Sequence, residues 1–343
     1  MAHYEIFREQ LAMKYPAYGH ALWVPNPEGP DSCVEVGDVG YIREGKFHRL
    51  FNALLPANHP SHRKLGAPRD HEPLIPNPSD HIKTSTLEAG HYCSRGVCVA
   101  AAESDVRASK PEDFSQVSFK CKRKQRGAAL FLPTQTECQD TIARGDFGQW
   151  IIKHFGESLR FARRHGLGID QTEDIVLVTG CHRTRSWANV AFLESQGEEP
   201  VSFEVKVAHT EDADINIDWQ ISPEQIRGAA VFSWGPSGKN PSENQCVFIR
   251  GFSVIRTPRK LPKRRDPVHT VLEYVAERAP DCDMVLVHDD DLARIDEISD
   301  GIEHLQSDAM MRVLRKLQPK IEEVSFGEYV SILSLSGSHT PRT

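Results

Sequence analysis

The sequence lacks any apolar run close to the roughly 20 residues that a membrane-spanning helix requires. Its first residues, MAHYEIFREQ, contain neither the basic segment nor the apolar segment of a secretion signal. We therefore expect a cytoplasmic protein, with peripheral attachment to membranes as a further expectation. The 8 cysteines are spread over 343 residues. Without a secretion signal, we expect them to be reduced and mostly buried rather than paired in disulfides.

Recognisable catalytic motifs are also lacking. The glycines of WGPSGK, Gly235 and Gly238, stand too close together for a phosphate-binding loop, and no helix signal follows Lys239. Cys93 and Cys98 have no second ligand pair at zinc-like spacing, and the histidines of the 57–83 segment match no rigid ligand set. For those histidines, which are His59, His62, His71 and His81, we expect surface positions.

Two groups of residues keep an enzymatic alternative open. Cys181 and His182 offer a thiol beside an imidazole, although neighbours on a strand point to opposite faces. Asp289, Asp290 and Asp291 follow the apolar segment MVLV and could bind magnesium there. They suit equally the cap and the acidic first turn of a helix, which is the interpretation we favour. We therefore predict no catalytic residue, no cofactor and no bound metal.

The sequence does contain a long β-rich segment between residues 174 and 256. Within it, two runs of apolar residues alternate with polar ones and are separated by the acidic turn AHTEDAD, which predicts a hairpin with one apolar face. The apolar positions are Val201, Phe203, Val205, Val207, Ile215, Ile217 and Trp219. Such a hairpin can cover a core permanently, or it can be stored for insertion elsewhere.

Basic residues are concentrated in three places. One cluster lies around KCKRKQR, a second lies in 256–265, and a third lies on the amphipathic segment 145–165. Clusters of this kind suit phosphate groups of acidic lipids or nucleic acids. No aromatic residues are interleaved with them, which disfavours single-stranded nucleic acid. The predicted lipid-binding or phosphate-binding residues are Lys120, Lys122, Arg123, Lys124, Arg126, Lys153, Arg163 and Arg164.

The order of these patterns predicts an α+β fold. We expect a largely antiparallel twisted sheet in residues 1–256, a basic linker at 257–266 and a small α/β region at 267–343. The best helix signal runs from Gly145 to His165, with Asp146 as the N-cap and Gly166 after the C-cap. Its apolar face, which is Ile151, Phe155, Leu159 and Ala162, should pack on the sheet. The C-terminal region should form a helix at 268–278, a strand at 284–288, one or two helices at 292–317 and a strand at 321–335.

Two resemblances accompany these patterns. The strings VGDVGYIREGKFHRLFNALLP, RGAALFLP, FGQWIIKHF, DIVLVTGCHRTRSWANVAF and NQCVFIRGFSVIR resemble an expanded, largely uncharacterised protein family of mushroom-forming fungi. That resemblance covers residues 1–256 and implies no catalytic residue. More remotely, the order of elements is similar to the pore-forming domain of gasdermins, in which amphipathic hairpins leave a compact body and join into a membrane pore. Convergence onto an ordinary α+β sheet would give the same order.

Three functions follow as hypotheses. The gasdermin-like resemblance implies a cytosolic fungal defence or cell-death protein that binds acidic lipid and forms oligomeric pores. The second hypothesis is a soluble module that binds an unknown protein partner without catalysis. The third is an enzyme that uses Asp289–Asp291 or the pair Cys181 and His182.

Overall fold

The computed structural model describes residues 1–27, 29, 33–100, 114–122, 125–169, 175–193, 201–209, 215–220, 230–236, 238–239, 241–256, 267–279, 284–298, 307–319, 321–323 and 331–333. The α-helices are α1 (His3–Ala12), α2 (Arg144–Arg164), α3 (Pro267–Arg278), α4 (Asp289–Ile298) and α5 (Ser307–Leu317). The first strands are β1 (His20–Ala21), β2 (Asp38–Arg43), β3 (Lys46–Asn52), β4 (Ile82–Leu87), β5 (Gly90–Cys93), β6 (Val97–Ala100), β7 (Phe114–Cys121), β8 (Gly127–Leu132) and β9 (Thr136–Thr141). They are followed by β10 (Ile175–Thr184), β11 (Trp187–Phe192), β12 (Val201–His209), β13 (Ile215–Gln220), β14 (Ala230–Gly235), β15 (Gly238–Lys239), β16 (Gln245–Arg256), β17 (Met284–His288), β18 (Ile321–Glu323) and β19 (Ser331–Leu333).

The largest sheet is built around the long antiparallel pair β10 and β16. On the side away from β16, β10 pairs with β2 near its start and with β9 further along. Likewise, β16 pairs with β1 and then with β17. The order along the main path is β18-β19-β17-β16-β10-β2-β3, and among the described strands only β17 and β19 run parallel. One sheet therefore joins residues from both ends of the described chain.

Helix α2 covers one face of this sheet and confirms the predicted apolar face. Phe155 and Ile151 are completely buried against sheet residues such as Phe51, Leu177 and Phe252. Gly166 has the left-handed φ of +64° expected after a C-cap. The predicted N-cap was wrong. The helix begins earlier, and Asp146 lies in its first turn, where the carboxylate accepts a hydrogen bond from the Asn77 N–H at 2.8 Å.

The C-terminal helices cover the opposite face of the same sheet. On β17, Leu286 packs towards α2, whereas Val285 and Val287 pack into a second core with α3, α4 and α5. The single strand predicted at 321–335 is instead two antiparallel strands, β18 and β19. The predicted linker 257–266 lies outside the described residues. The division at residue 256 stays a prediction, although β17 shares a sheet with the body.

The α+β class and the predominance of antiparallel pairing are confirmed. Two smaller antiparallel sheets complete the fold, with the orders β14-β11-β8-β5 and β15-β13-β12-β7-β6. We call them the inner sheet and the outer sheet, respectively. Helix α1 packs on β8 and β11 of the inner sheet, where Phe7 and Leu11 are buried beside Leu130 and Trp187.

Candidate functional site

Four segments of the chain run through both small sheets in the same order, and the outer sheet carries β15 as a fifth strand beside β13. Segment I carries β5 and β6, segment II carries β7 and β8, segment III carries β11 and β12, and segment IV carries β13 and β14. The inner sheet has the order IV-III-II-I, and within the outer sheet the same order recurs. Segments I and II therefore form one long hairpin and segments III and IV another. The two hairpins lie side by side through segments II and III.

The hairpin of segments I and II bends between its two sheets, so that its part of the outer sheet packs onto the inner sheet. The resulting core joins Phe119 and Val97 of the outer sheet to Phe131 and Val190 of the inner sheet. The exposed His91 side chain lies at the edge of this contact, with its ring centroid 4.9 Å from that of Phe131 and 5.9 Å from that of Phe119. Partial desolvation by these rings lowers the pKa of His91, which favours the neutral imidazole.

The basic cluster lies at the bend of segment II. Cys93 pairs with Ala129 and Val97 pairs with Cys121, so residues 122–128 of segment II face only residues 94–96 of segment I. Segment II therefore has more residues than segment I at this point, and we call its described residues Lys122, Gln125 and Arg126 the basic bulge. It is closed by a hydrogen bond from the Lys122 N–H to the Gly96 carbonyl at 2.9 Å and another from the Ala128 N–H to Ser94 Oγ at 2.9 Å.

The predicted basic residues fall into two separate groups. In and beside the basic bulge, Lys120 and Lys122 are exposed and Arg126 is half-buried, while Arg123 and Lys124 lie outside the described residues. The second group lies on α2, where Lys153, Arg163 and Arg164 are exposed. Lys153 is paired with Glu72 at 2.5 Å, and this contact lowers the pKa of the Glu72 carboxyl. Because α2 packs on the largest sheet, the two groups belong to different parts of the fold.

Strands β12 and β13 pair antiparallel, as the sequence predicts. Val205 stands opposite Trp219, and Val207 stands opposite Ile217. On its other side, β12 pairs with β7, with Val201 opposite Phe119. The described part of these strands does not include the side chains of the predicted apolar face. The apolar face therefore stays a prediction, whereas the pairing is present.

The structure gives Cys181 and His182 no shared chemistry. Cys181 is completely buried beside Cys246 and Ile249, and burial raises the pKa of its thiol well above the ordinary value. The His182 ring packs instead against Tyr18 at 5.3 Å, and burial lowers its pKa to about 3. A buried protonated thiol and a buried neutral imidazole supply neither a nucleophile nor an accessible base.

Asp289, Asp290 and Asp291 begin α4, and each carboxylate has a protein partner. Asp289 accepts a hydrogen bond from the Gly251 N–H at 2.8 Å, and Asp290 pairs with Arg144 and Arg250. Asp291 accepts from the His288 N–H at 3.0 Å, and His288 Nδ1 accepts from the Asp290 N–H at 3.0 Å. This reciprocal pair caps the helix. In the described residues, no three His, Cys, Asp or Glu side chains come together as a metal site.

The expected surface positions of the histidines were wrong for two of them. His62 is buried, and its Nε2 accepts a hydrogen bond from the Asn52 N–H at 3.0 Å. His81 is buried beside Thr141, with 3.0 Å between Nδ1 and Oγ1. The long 57–83 segment brings both side chains to the core, where they satisfy the Asn52 N–H and the Thr141 hydroxyl, and sequence spacing does not reveal this.

Comparison of the sequence with protein-family models gives no match, and comparison with curated protein sequences gives none either. Among the described helices, none is both long enough and apolar enough to cross a bilayer. The arrangement that sequence reasoning missed is the shared strand order of the two small sheets. The sequence indicates that these segments form strands, but it does not indicate their order, because strand order depends on pairing between residues far apart in the chain.

Proposed function

We propose that this is a cytoplasmic protein that binds acidic lipid and inserts its two hairpins into membranes as part of an oligomeric pore. The observation that carries the proposal is the shared order of segments I to IV in the inner and outer sheets. Straightening at the bends would turn two small sheets into one sheet of four long strands. A role in fungal defence or cell death is the further part of the proposal, and it rests on the resemblances to the fungal family and to gasdermins.

The lengths of the segments support this change. Segment II runs from residue 114 to residue 132, and segment III runs from 187 to 209. Both exceed the roughly 9–11 residues that a membrane-crossing β-strand needs. Straightening would uncover the apolar side chains around Phe119 and Phe131, so burial in the bilayer would have to offset the cost of exposing them.

The basic bulge supports a first contact with acidic lipid. It places Lys122 and Arg126 at the bend where the hairpins would have to open, with Lys120 on the adjoining strand. Each Lys or Arg close to an anionic surface contributes about 1 kcal/mol, and salt weakens the attraction. Lipid binding at this point would therefore act on the bend itself.

The test is a liposome assay that follows binding and dye release separately. The parent should bind vesicles that contain phosphatidylserine and release their dye. It should neither bind vesicles of phosphatidylcholine alone nor release their dye. Changing Lys122, Arg123 and Lys124 together to Glu should abolish both binding and release. A control with the same charge change, in which the exposed residues Arg63, Arg69 and Lys83 become Glu, should keep both. Absence of binding by the parent, or equal binding by the bulge variant, would remove the proposal.

A second variant measures the contribution of α2. Arg163→Glu combined with Arg164→Glu reverses two exposed charges at the C-terminal end of that helix. If the basic bulge makes the first contact, this variant should bind acidic vesicles more tightly than the bulge variant does. Weaker vesicle binding by the α2 variant than by the bulge variant would indicate that the lipid contact lies on α2 and not on the hairpins.

A module that binds a protein partner without membrane activity is the second candidate. It is supported by β6, which is the last strand of the outer sheet among the described strands and carries the half-exposed Val99. An open strand edge of this kind can pair with a strand of a partner or of a second copy. If the parent protein by itself releases dye from vesicles, binding of a protein partner cannot be the whole function. A monomer that neither binds vesicles nor self-associates in sedimentation experiments would favour it.

A further inference from the structure

Residues 57–72 form a surface loop in which three histidines lie, and we call it the histidine loop. It covers Phe51 at the end of β3 and Trp150 of α2, with 5.4 Å between the ring centroids of His71 and Phe51 and 6.3 Å between those of His71 and Trp150. Several backbone N–H groups of the loop donate to carbonyls of residues 56–68, and they belong to His59, His62, Arg63, Gly66 and His71. Contact of the loop with β3 and α2 is therefore made mainly by side chains.

His62 is buried and holds the loop to β3. Its Nε2 accepts a hydrogen bond from the Asn52 N–H at 3.0 Å, and its Nδ1 lies 3.4 Å from the Ala57 carbonyl. A neutral ring with its proton on Nδ1 satisfies both contacts, whereas a protonated ring carries a proton on each nitrogen. The Nε2 proton would then face the Asn52 N–H, so protonation of His62 breaks the contact between the loop and the sheet.

The neighbours of His62 disfavour a positive charge on its ring. The ring centroids of His59 and His71, on the same loop, lie 6.3 Å and 5.9 Å from that of His62. From β3, His62 meets the uncharged Phe51 ring and the Asn52 N–H. Burial lowers the pKa of His62, and repulsion by His71 and His59 lowers it further.

Helix α2 adds charged groups at the other end of the loop. Lys153 pairs with Glu72 at 2.5 Å, and His154 Nε2 lies 3.9 Å from the same carboxylate. Burial lowers the pKa of His154, Lys153 and His71 lower it further, and Glu72 and Glu157 raise it. The other charged residues of the loop are exposed, and they are Arg63, Lys64, Arg69 and Asp70. The Glu72 carboxylate is thus shared between Lys153 and His154 rather than directed at His62.

We infer that the histidine loop is released by acid: protonation of His62 below about pH 6 detaches the loop from β3 and uncovers Phe51 and Trp150. The closed loop buries both rings, which are 1% and 7% exposed. His62 stabilises the closed loop fully above its ordinary pKa of 6.5, and this contribution is lost as pH falls, because the open loop takes up the proton more readily. The Leu74 N–H donates to the Ala53 carbonyl at 2.8 Å and marks the end of the part released. The inference does not rest on the proposed pore.

The Asn52 amide reports directly on this contact, and its hydrogen exchange in the full-length protein is the test. After correction for the intrinsic effect of pH on exchange, its protection should fall by about tenfold or more between pH 7 and pH 5, because each unit below the ordinary histidine pKa favours the open loop by up to tenfold. The amides of β10 should stay better protected than Asn52 at both pH values. Unchanged protection of Asn52, or exchange of Asn52 and β10 at the same rate, would overturn the inference.

Two variants assign the effect to the loop. In His62→Gln the side-chain oxygen can accept from the Asn52 N–H and does not titrate, so the fall in Asn52 protection should be lost. His59→Gln combined with His71→Gln keeps His62 and should reduce the fall, because two neighbours no longer repel its charge. The control His165→Gln changes an exposed histidine at the end of α2 and should behave as the parent does. The parent's full fall in both loop variants would contradict the inference, and the double variant keeps the test decisive if His62→Gln does not fold.

Discussion

His288 shows how one buried side chain can make stability depend on pH. Its Nδ1 accepts from the Asp290 N–H at 3.0 Å, and its Nε2 lies 2.7 Å from Thr179 Oγ1. Burial lowers its pKa from 6.5 to about 3, so the folded protein holds the ring neutral. A lowered histidine pKa contributes stability above pH 6.5 that is lost as pH falls towards 3, because only the unfolded chain then takes up the proton.

We predict that His288→Asn flattens this dependence. Asn can still accept the hydrogen bond at the helix N-terminus, and it does not titrate. The parent should lose about 3 kcal/mol of unfolding free energy from this group between pH 7 and pH 4, and the variant should lose correspondingly less. Urea unfolding at both pH values measures the difference. His182, whose pKa is lowered to about 3 mainly by burial and then by Arg250, titrates in the same direction and remains in both proteins. If the unfolding free energy falls by the same amount between pH 7 and pH 4 in parent and variant, His288 does not titrate in this way.

At the scale of elements, the bend of segment II is the feature on which the pore proposal depends. A Cβ placed on Gly127 would lie 3.0 Å from Cys121 Sγ and 2.4 Å from Val97 Cγ2. The first distance suits a disulfide between Cys121 and a cysteine at position 127, and the second requires a smaller residue than Val97. Such a disulfide would join the two ends of the basic bulge and prevent segment II from straightening.

We predict that Gly127→Cys combined with Val97→Ala binds acidic vesicles whether oxidised or reduced, but releases dye only when reduced. Lipid binding needs the exposed basic residues, which the disulfide leaves in place, whereas insertion needs the straightened strand. Dye release with and without a thiol reductant measures the effect. The same double variant carrying Cys121→Ser should show no dependence on the reductant. Equal release by the oxidised and reduced forms would show that the bend does not open.

At the scale of the whole molecule, the largest sheet crosses the division predicted at residue 256. β17 pairs with Phe252–Arg256, and Leu286 completes the core under α2. We predict that a chain ending at Arg256 fails to melt cooperatively, because β16 loses a partner strand and the core loses a fully buried side chain. Circular dichroism melting and gel filtration test this. The full-length variant Leu286→Ala should lose about 2–5 kcal/mol and remain cooperative. A cooperative, monomeric chain of residues 1–256 would instead establish that segment as an independent domain.

Several features of this protein were fixed by local sequence pattern. The spacing of Ile151, Phe155, Leu159 and Ala162 determined which face of α2 is buried, since a helix repeats every 3.6 residues whatever it packs against. The alternation in 201–219 determined two strands close enough in the chain to pair as a hairpin. Acidic residues after MVLV determined the start of α4, because carboxylates stabilise a helix N-terminus.

Tertiary structure decided what these elements do together. The cap of α4 comes from His288 and Asp291, while Asp289 and Asp290 bind β16 and α2, and no local pattern distinguishes those partners. The shared order of segments I to IV arises from pairing between strands far apart in sequence, where the cost of loop closure and the fit of side chains outweigh local preference. The sequence by itself thus determined most of the elements and the apolar face of α2, and long-range packing decided the bend and the basic bulge.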